Sequence, residues 1–322
     1  MAHNLHIGTH GQASMMYFGE TPWHRLGQKL DHPATAAEAI EAAGLDYTVA
    51  KRPLFTKIGR QKVHVPDHFA TARQDTGAVL GVVGSRYQCI DNTRCFEFFD
   101  PLVGREEAIY HTAGVLGNGE RCWILAKLPD YIRVGKRGDP IEKFLLLVNS
   151  HDGSSQIRIR LSPIRVVCQN TLSVALSGTE QEVRIKHTAT APAKLEEAHK
   201  LLGLTNTLYM QLDYIFNRMA LRKVSDRELM QYVKTLVPDN PEAESNTRTE
   251  NIRKKILDIH ESQPDAVMHR GTLFGAYNSV TELVDHFSSS DNADKRLRSM
   301  WFGSGERLKL KAFSLAEDLL KN

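Results

Sequence analysis

Alternating apolar and polar residues predict short β-strands through roughly the first 190 positions. Ile58-Gly59-Arg60 and Gly117-Asn118-Gly119 lie between such runs and predict hairpin turns, because glycine and asparagine adopt the backbone angles that tight turns require. The strands predicted around and after these turns are Phe69–Arg73, Val79–Val83, Ile109–Leu116, Arg121–Leu128 and Glu142–Asn149.

Two short helices are predicted among these strands. Thr35 with Glu38 forms a capping-box pattern, in which each side chain bonds the backbone of the other residue. Asn92 or Thr93 is expected to cap a second helix, which runs to about Val103.

After Pro192 the apolar period changes to 3.6 residues, which predicts helices. The predicted helices are Leu195–Met219, Ser225–Leu236, Thr247–His260, Thr272–His286 and Glu306–Leu320. We therefore expect an α+β fold, with a mainly antiparallel sheet and flanking helices over residues 1–190 and a helical region over residues 191–322. Whether the helices form a separate domain or cover the sheet stays open at this point.

One segment near the middle of the chain carries cations without acids. No acidic residue lies between Asp152 and Glu180, and Arg158, Arg160 and Arg165 lie within that interval. Ile157, Ile159 and Leu161 alternate with the first two arginines, so a strand would present both arginines on one face. Val183–His187 repeats the pattern and presents Arg184 and Lys186. Asn170 or Thr171 is expected to cap a short helix that ends at Gly178.

Two interpretations of these basic strands remain. They bind nucleic acid phosphates, since alternate strand positions are roughly 6.6–6.8 Å apart, which is comparable with the phosphate spacing of an extended single strand. Alternatively, acids elsewhere in the fold pair with them. A second basic cluster, interleaved with aromatic residues, suits the first interpretation and contains Arg298, Trp301, Phe302 and Lys309.

Composition changes this picture little. Forty-one Lys and Arg oppose 38 Asp and Glu, which gives a net charge of +3, so only the distribution of charge is informative. The 4 cysteines lack a CxxC pair, and no apolar run approaches the ~20 residues of a transmembrane helix. We expect a cytoplasmic protein without a membrane partner.

Motifs for catalysis are largely absent from the sequence. It has no P-loop, GxGxxG, HExxH or GxSxG motif, so no catalytic residue, metal ligand or cofactor is assigned. His151 and Asp152, with His187, are the best candidates for metal or acid–base chemistry, although Asp152-Gly153 also suits a tight turn. Cys168 at a helix start is more typical of a buried thiol than of a nucleophile.

Several segments together resemble a known family. They are Thr21–Gly27, Ser150–Ser154, Ser162–Leu172, Gly271–His286 and Phe302–Gly303. In this order they resemble the phage/plasmid-like proteins known as domain of unknown function 932. The resemblance implies a bacteriophage, prophage or plasmid setting in a bacterial host, and it implies no catalytic residues.

These observations favour a binding protein over an enzyme. We expect an ATP-independent protein that binds or anneals single-stranded nucleic acid, DNA in the first place, during recombination or replication, and that self-assembles as a homo-oligomer. Two alternatives stay open: a metal-dependent nuclease or hydrolase that uses His151, Asp152 and His187, and a protein that binds and blocks a host defence component.

Overall fold

A nine-stranded, mostly antiparallel sheet forms the centre of the computed structural model, and a three-stranded sheet lies beside it. The α+β prediction is confirmed, with the sheets in the N-terminal part and most helices in the C-terminal part. The structure describes residues 5–8, 11–19, 26–103, 105, 107–165, 170–171, 182–200, 205–242, 245–262, 269–287, 299 and 303–321.

The strands of the large sheet are β1 Met15–Phe18, β2 Gln28–Leu30, β6 Ile109–Leu116, β7 Arg121–Val134, β8 Asp139–Ser150, β9 Ile157–Leu161, β10 Ile164–Arg165, β11 Asn170–Thr171 and β12 Glu182–Ile185. They follow the order β11-β10-β8-β7-β6-β1-β2, with β9 pairing β8 and β12 pairing β9. The small sheet has the order β3-β4-β5, with β3 Val49–Ile58, β4 Gln61–Arg73 and β5 Val79–Gly84.

Both predicted hairpins form. β3 and β4 pair up to Ile58 opposite Gln61, and Gly59 has a φ of 61° at the first turn position, which glycine adopts without steric cost. β6 and β7 pair up to Leu116 opposite Arg121, across the Gly117–Glu120 turn.

The helices are α1 Ala36–Ala42, α2 Asn92–Glu97, α3 Asp100–Val103, α4 Ala191–Lys200, α5 Thr205–Leu221, α6 Asp226–Leu236, α7 Thr247–Ser262, α8 Leu273–His286 and α9 Ser304–Lys321. The predicted capping box of Thr35 and Glu38 is present. The helix predicted over Leu195–Met219 corresponds to α4 and α5, and residues 201–204 lie outside the described ranges.

Two helix predictions are wrong. The helix expected up to Val103 is divided into α2 and α3, because Pro101 has no N–H with which to continue the hydrogen-bond ladder. Neither Asn92 nor Thr93 caps it, because both lie within the helix and Asp91 occupies the cap position; the buried side-chain amide of Asn92 donates to the Leu45 carbonyl at 3.2 Å. Asn170 and Thr171 form a short strand paired with β10 instead of a helix cap.

Helices and large sheet share one apolar core. The buried residues of this core run from Met16 in β1 to Ala316 in α9. Tyr209 of α5 ties the two layers together, because its hydroxyl donates to the Phe144 carbonyl at 2.6 Å and accepts from the Phe144 amide at 2.8 Å. A smaller apolar cluster on the opposite sheet face includes Trp123, Leu146 and Val148, so both faces of the central strands are covered.

The small sheet contacts the large one through β5. A Cβ atom added at Gly81 would lie 2.4 Å from the carbonyl oxygen of Asp152, so glycine is needed for this close approach. At the base of the β3–β4 hairpin, buried Arg73 donates to the Asn118 carbonyl at 3.1 Å and pairs with Asp75 at 2.6 Å. These contacts attach the end of the hairpin that lies away from its turn to the rest of the fold.

Among the described helices, none is both long and apolar enough to cross a membrane.

Candidate functional site

The basic positions of β9 occupy a covered face of the sheet. Ile157, Ile159 and Leu161 are buried and alternate with Arg158 and Arg160, as the pattern predicts. The arginines pair across the ladder with Val148 and Leu146, which belong to the smaller apolar cluster. The side chains of Arg158 and Arg160 are therefore only 18% and 13% exposed, and the expectation that they form an open surface is wrong.

Carboxylates neutralise these two arginines. Arg158 pairs with Glu182 of β12 and, at 3.3 Å, with Glu306 at the start of α9. Arg160 also pairs with Glu306, and burial lowers the pKa of Arg160 to about 10, which leaves it protonated at neutral pH. The first turn of α9 thus docks on the sheet by ion pairs, which is the second of the two interpretations that the sequence leaves open.

Lys309 continues this network inward. Its side chain is fully buried, and its ammonium lies 2.9 Å from an Asp285 carboxylate oxygen on α8. Burial lowers the pKa of Lys309, with Asp285 opposing that effect. The expectation that Lys309 contributes to a basic groove is therefore wrong, since a lysine without solvent contact has no open path to a phosphate.

The remaining predicted binding residues are placed differently. Arg184 is 64% exposed but pairs with Glu182, and Lys186 is exposed. Arg165 lies in β10, and its side chain is outside the described part of the structure. Arg298, Trp301 and Phe302, together with Cys168, lie outside the described residues.

The histidine candidates form a buried, neutral cluster. The Nε2 atom of His151 lies 2.9 Å from the Asn92 side-chain oxygen, and His187 stacks on Tyr87 with ring centroids 4.8 Å apart. Burial, with a contribution from His187, lowers the pKa of His151 to about 3, and burial lowers that of His187 to about 4.

The carboxylate of Asp152, the third candidate of this group, forms hydrogen bonds within its own turn. It accepts hydrogen bonds from the hydroxyls of Ser150 and Ser154, both at 2.5 Å. Within the described ranges, no group of three or more His, Cys, Asp or Glu side chains is arranged to hold a metal ion.

An exposed basic surface lies instead on the β3–β4 hairpin. We call residues 51–68 the basic ribbon. β5 pairs with β4 only from His68 to Ala72, so the outer part of the ribbon is two-stranded. From Phe55 to His64 every residue is exposed. The ribbon thus projects from the small sheet as a free two-stranded arm.

Two lysines face each other near the end of the ribbon. Lys57 lies directly opposite Lys62 in the strand register, and like charges in this position destabilise a hairpin. Lys62 places its ammonium 4.1 Å from the ring centroid of Phe55, whose ring also contacts His64 edge to face at 5.4 Å. In the described part of the chain, neither lysine forms an ion pair. One face therefore combines two lysines, an imidazole and an exposed aromatic ring.

Sequence reasoning missed this surface, although its signal was available. No acidic residue lies between Asp46 and Asp67, the same criterion that selected the later strands. This interval is shorter and holds more cations than the later one: Lys51, Arg52, Lys57, Arg60 and Lys62. Acid-free intervals thus identify candidates, and burial decides which of them faces solvent.

Comparisons with known proteins give a family without an assigned activity. No curated protein and no solved structure matches the chain. The sequence model of the family described as "Domain of unknown function (DUF932)" matches residues 79–301, which include the sheet strands β6 to β12 and the helices α2 to α8. The basic ribbon precedes the matched residues. Because the match covers more than half of the 322 residues, the chain belongs to the family known as domain of unknown function 932.

Proposed function

We propose that this protein binds nucleic acid, single-stranded DNA in the first place, through the basic ribbon. The observation that carries the proposal is the pair Lys57 and Lys62, which face each other on an exposed arm and form no ion pair within the described part of the chain. A bound phosphate would relieve their repulsion. The hairpin thus gives up some stability in the free protein at a position where an anionic ligand would restore it.

The chemistry of the ribbon suits a single strand. Basic side chains that track a phosphate backbone, next to an aromatic ring on which a base can stack, are the usual means of binding single strands without sequence preference. Phe55 is 46% exposed and lies on the same ribbon face as the two lysines. Arg52 and Arg60, also exposed, extend the positive charge along the arm.

The biological setting is part of the same proposal. We infer an ATP-independent role in annealing DNA strands during recombination or replication of a phage or plasmid, with self-assembly of the protein on DNA. Its support is the family resemblance, the missing nucleotide-hydrolysis motifs and the basic ribbon. We assign no nucleic-acid contact to Arg158, Arg160 and Lys309, because carboxylates within the fold pair with their charges.

The test removes the two facing lysines. Each lysine that neutralises a phosphate of a single strand contributes about 0.7 to the slope of log affinity against log salt. Lys57→Ala/Lys62→Ala should therefore lower the affinity for single-stranded DNA about 25-fold at about 0.1 M salt, and reduce the slope by about 1.4. Binding is measured by fluorescence anisotropy across a salt titration, and the rate of annealing of complementary strands without ATP is followed with the same variants.

A matched control removes the same charge elsewhere. Arg248 and Lys254 are exposed on α7, far along the chain from the ribbon. Arg248→Ala/Lys254→Ala should leave both affinity and slope nearly unchanged. Equal losses in both double variants would mean that only net charge matters, and the assignment to the ribbon would then be wrong.

A further inference from the structure

The outer ribbon has a second face with different chemistry. Residues paired directly across an antiparallel ladder share a face, and successive residues alternate. Thr56 therefore shares a face with Val63, and Ile58 with Gln61, opposite the face of the two lysines. This second face carries no charge.

Two apolar side chains on this face remain in solvent. Ile58 is 65% exposed and Val63 is 37% exposed, and neither belongs to a described apolar cluster. Ile58 is the last residue before the turn, so it lies at the leading end of the arm. Scattered exposed apolar residues are common, but here both occur within a few residues of a charged surface on a projecting element.

The opposite face indicates what would cover them. Ile58 lies beside the turn at the end of the arm, so a nucleic acid whose phosphates bind Lys57 and Lys62 on one face would reach Ile58 with its bases by passing round that end. Base faces are flat and weakly polar, and they match an uncharged apolar surface. Proteins that kink duplex DNA insert isoleucine, among other apolar side chains, between neighbouring base steps, and the stacked bases of a single strand offer the same kind of apolar contact.

We propose that Ile58 inserts between adjacent bases and unstacks them when the ribbon binds nucleic acid. This inference rests on the proposed function and adds how the ribbon engages the bases. The lysines supply the charge-dependent part of the affinity, and Ile58 supplies a part that does not depend on salt. For an annealing protein, separating stacked bases would present their pairing edges to a complementary strand.

The test uses an oligonucleotide that carries 2-aminopurine, a base whose fluorescence rises when it leaves the stack. Binding of the natural protein should raise this fluorescence. Ile58→Thr keeps a β-branched residue in the strand and removes the apolar end. We expect this variant to lose the fluorescence rise, to bind about tenfold more weakly and to keep the same salt slope.

Val79→Thr provides the control. Val79 is 63% exposed at the start of β5 in the same small sheet. The Val79→Thr variant should bind the oligonucleotide and unstack its bases as the natural protein does. A fluorescence rise that persists in Ile58→Thr, or is absent in the natural protein bound to DNA, overturns the wedge and leaves the proposed function standing. Absence of any binding to single-stranded DNA overturns the proposed function itself.

Discussion

At the scale of single residues, arginines and lysines in this protein occupy two kinds of environment. Arg158 and Arg160 lie between the sheet and α9, where carboxylates neutralise them. Lys57 and Lys62 extend into solvent from a free hairpin. A sequence shows the spacing of such cations, but the carboxylate of Glu306 lies 146 positions beyond Arg160, so its approach depends on the whole fold.

Removal of one buried arginine should therefore affect stability. We expect Arg160→Ala to lower the free energy of unfolding by about 3 kcal/mol, because it removes the closer of the two arginines that pair with the buried carboxylate of Glu306 and leaves, within the described ranges, only Arg158 at 3.3 Å. Arg184→Ala removes an exposed arginine of the neighbouring strand, and should cost less than about 1 kcal/mol. Urea unfolding of both variants measures the difference; similar small losses would show that the site of Arg160 is well hydrated.

At the scale of elements, sequence patterns predicted most strands, turns and helix starts. The turn at Gly59 and Arg60, the capping box at Thr35 and the helix start at Ser225 are determined by neighbouring residues, and these local signals are reliable. The predicted helix ran past Pro101 to about Val103, although the proline was a local signal for the division that the structure shows. What patterns did not predict is which strand face stays open, because that depends on where distant helices dock.

The contact between the two sheets can be tested at β5. Gly81→Ala should lower the free energy of unfolding by about 1–3 kcal/mol, since its Cβ would lie within 2.4 Å of the Asp152 carbonyl and force the sheets apart. Gly84→Ala is the matched control in the same strand, because its Cβ would meet no atom within 4 Å. Thermal unfolding of the two variants compares them directly. If both behaved alike, the packing of β5 on the 151–153 turn would have to be looser than described.

At the scale of the whole molecule, the helices and the large sheet form one packed body. Their shared core extends across residue 190, the boundary that the change of apolar period suggested. The period of apolar residues indicates a change of secondary structure along the chain, but it does not indicate whether the two parts bury their apolar surfaces against each other. The candidate site lies outside this body, on the arm of the small sheet.

Stability of this body should depend on pH through its buried histidines. Folding lowers the pKa of His151 to about 3 and that of His187 to about 4, so the folded state favours the neutral rings. The stabilisation is complete above the ordinary histidine pKa of about 6.5 and is lost as pH falls below it, by up to about 1.4 kcal/mol per pH unit for each ring. Urea unfolding curves recorded at pH values between about 4 and about 6.5 measure how steeply the free energy of unfolding falls with pH.

His187→Phe separates this effect from general acid unfolding. Phenylalanine can keep the stacking on Tyr87, and neither ring nitrogen of His187 has a hydrogen-bond partner in the described structure. We expect nearly natural stability at neutral pH and a shallower decline in acid. An unchanged slope would contradict a neutral, buried His187.

The unpaired edges of the basic ribbon have a consequence for how copies of this protein meet one another in solution. Between the turn and His68, neither outer edge of the arm pairs with another strand of the described structure. Such unpaired edges readily add a strand from another molecule. Five cations within residues 51–62 and the ring of Pro53 oppose that addition, the first by repulsion and the second by removing an N–H donor. Colloidal stability of the purified protein therefore relies on the same charges that a polyanion or concentrated salt would screen.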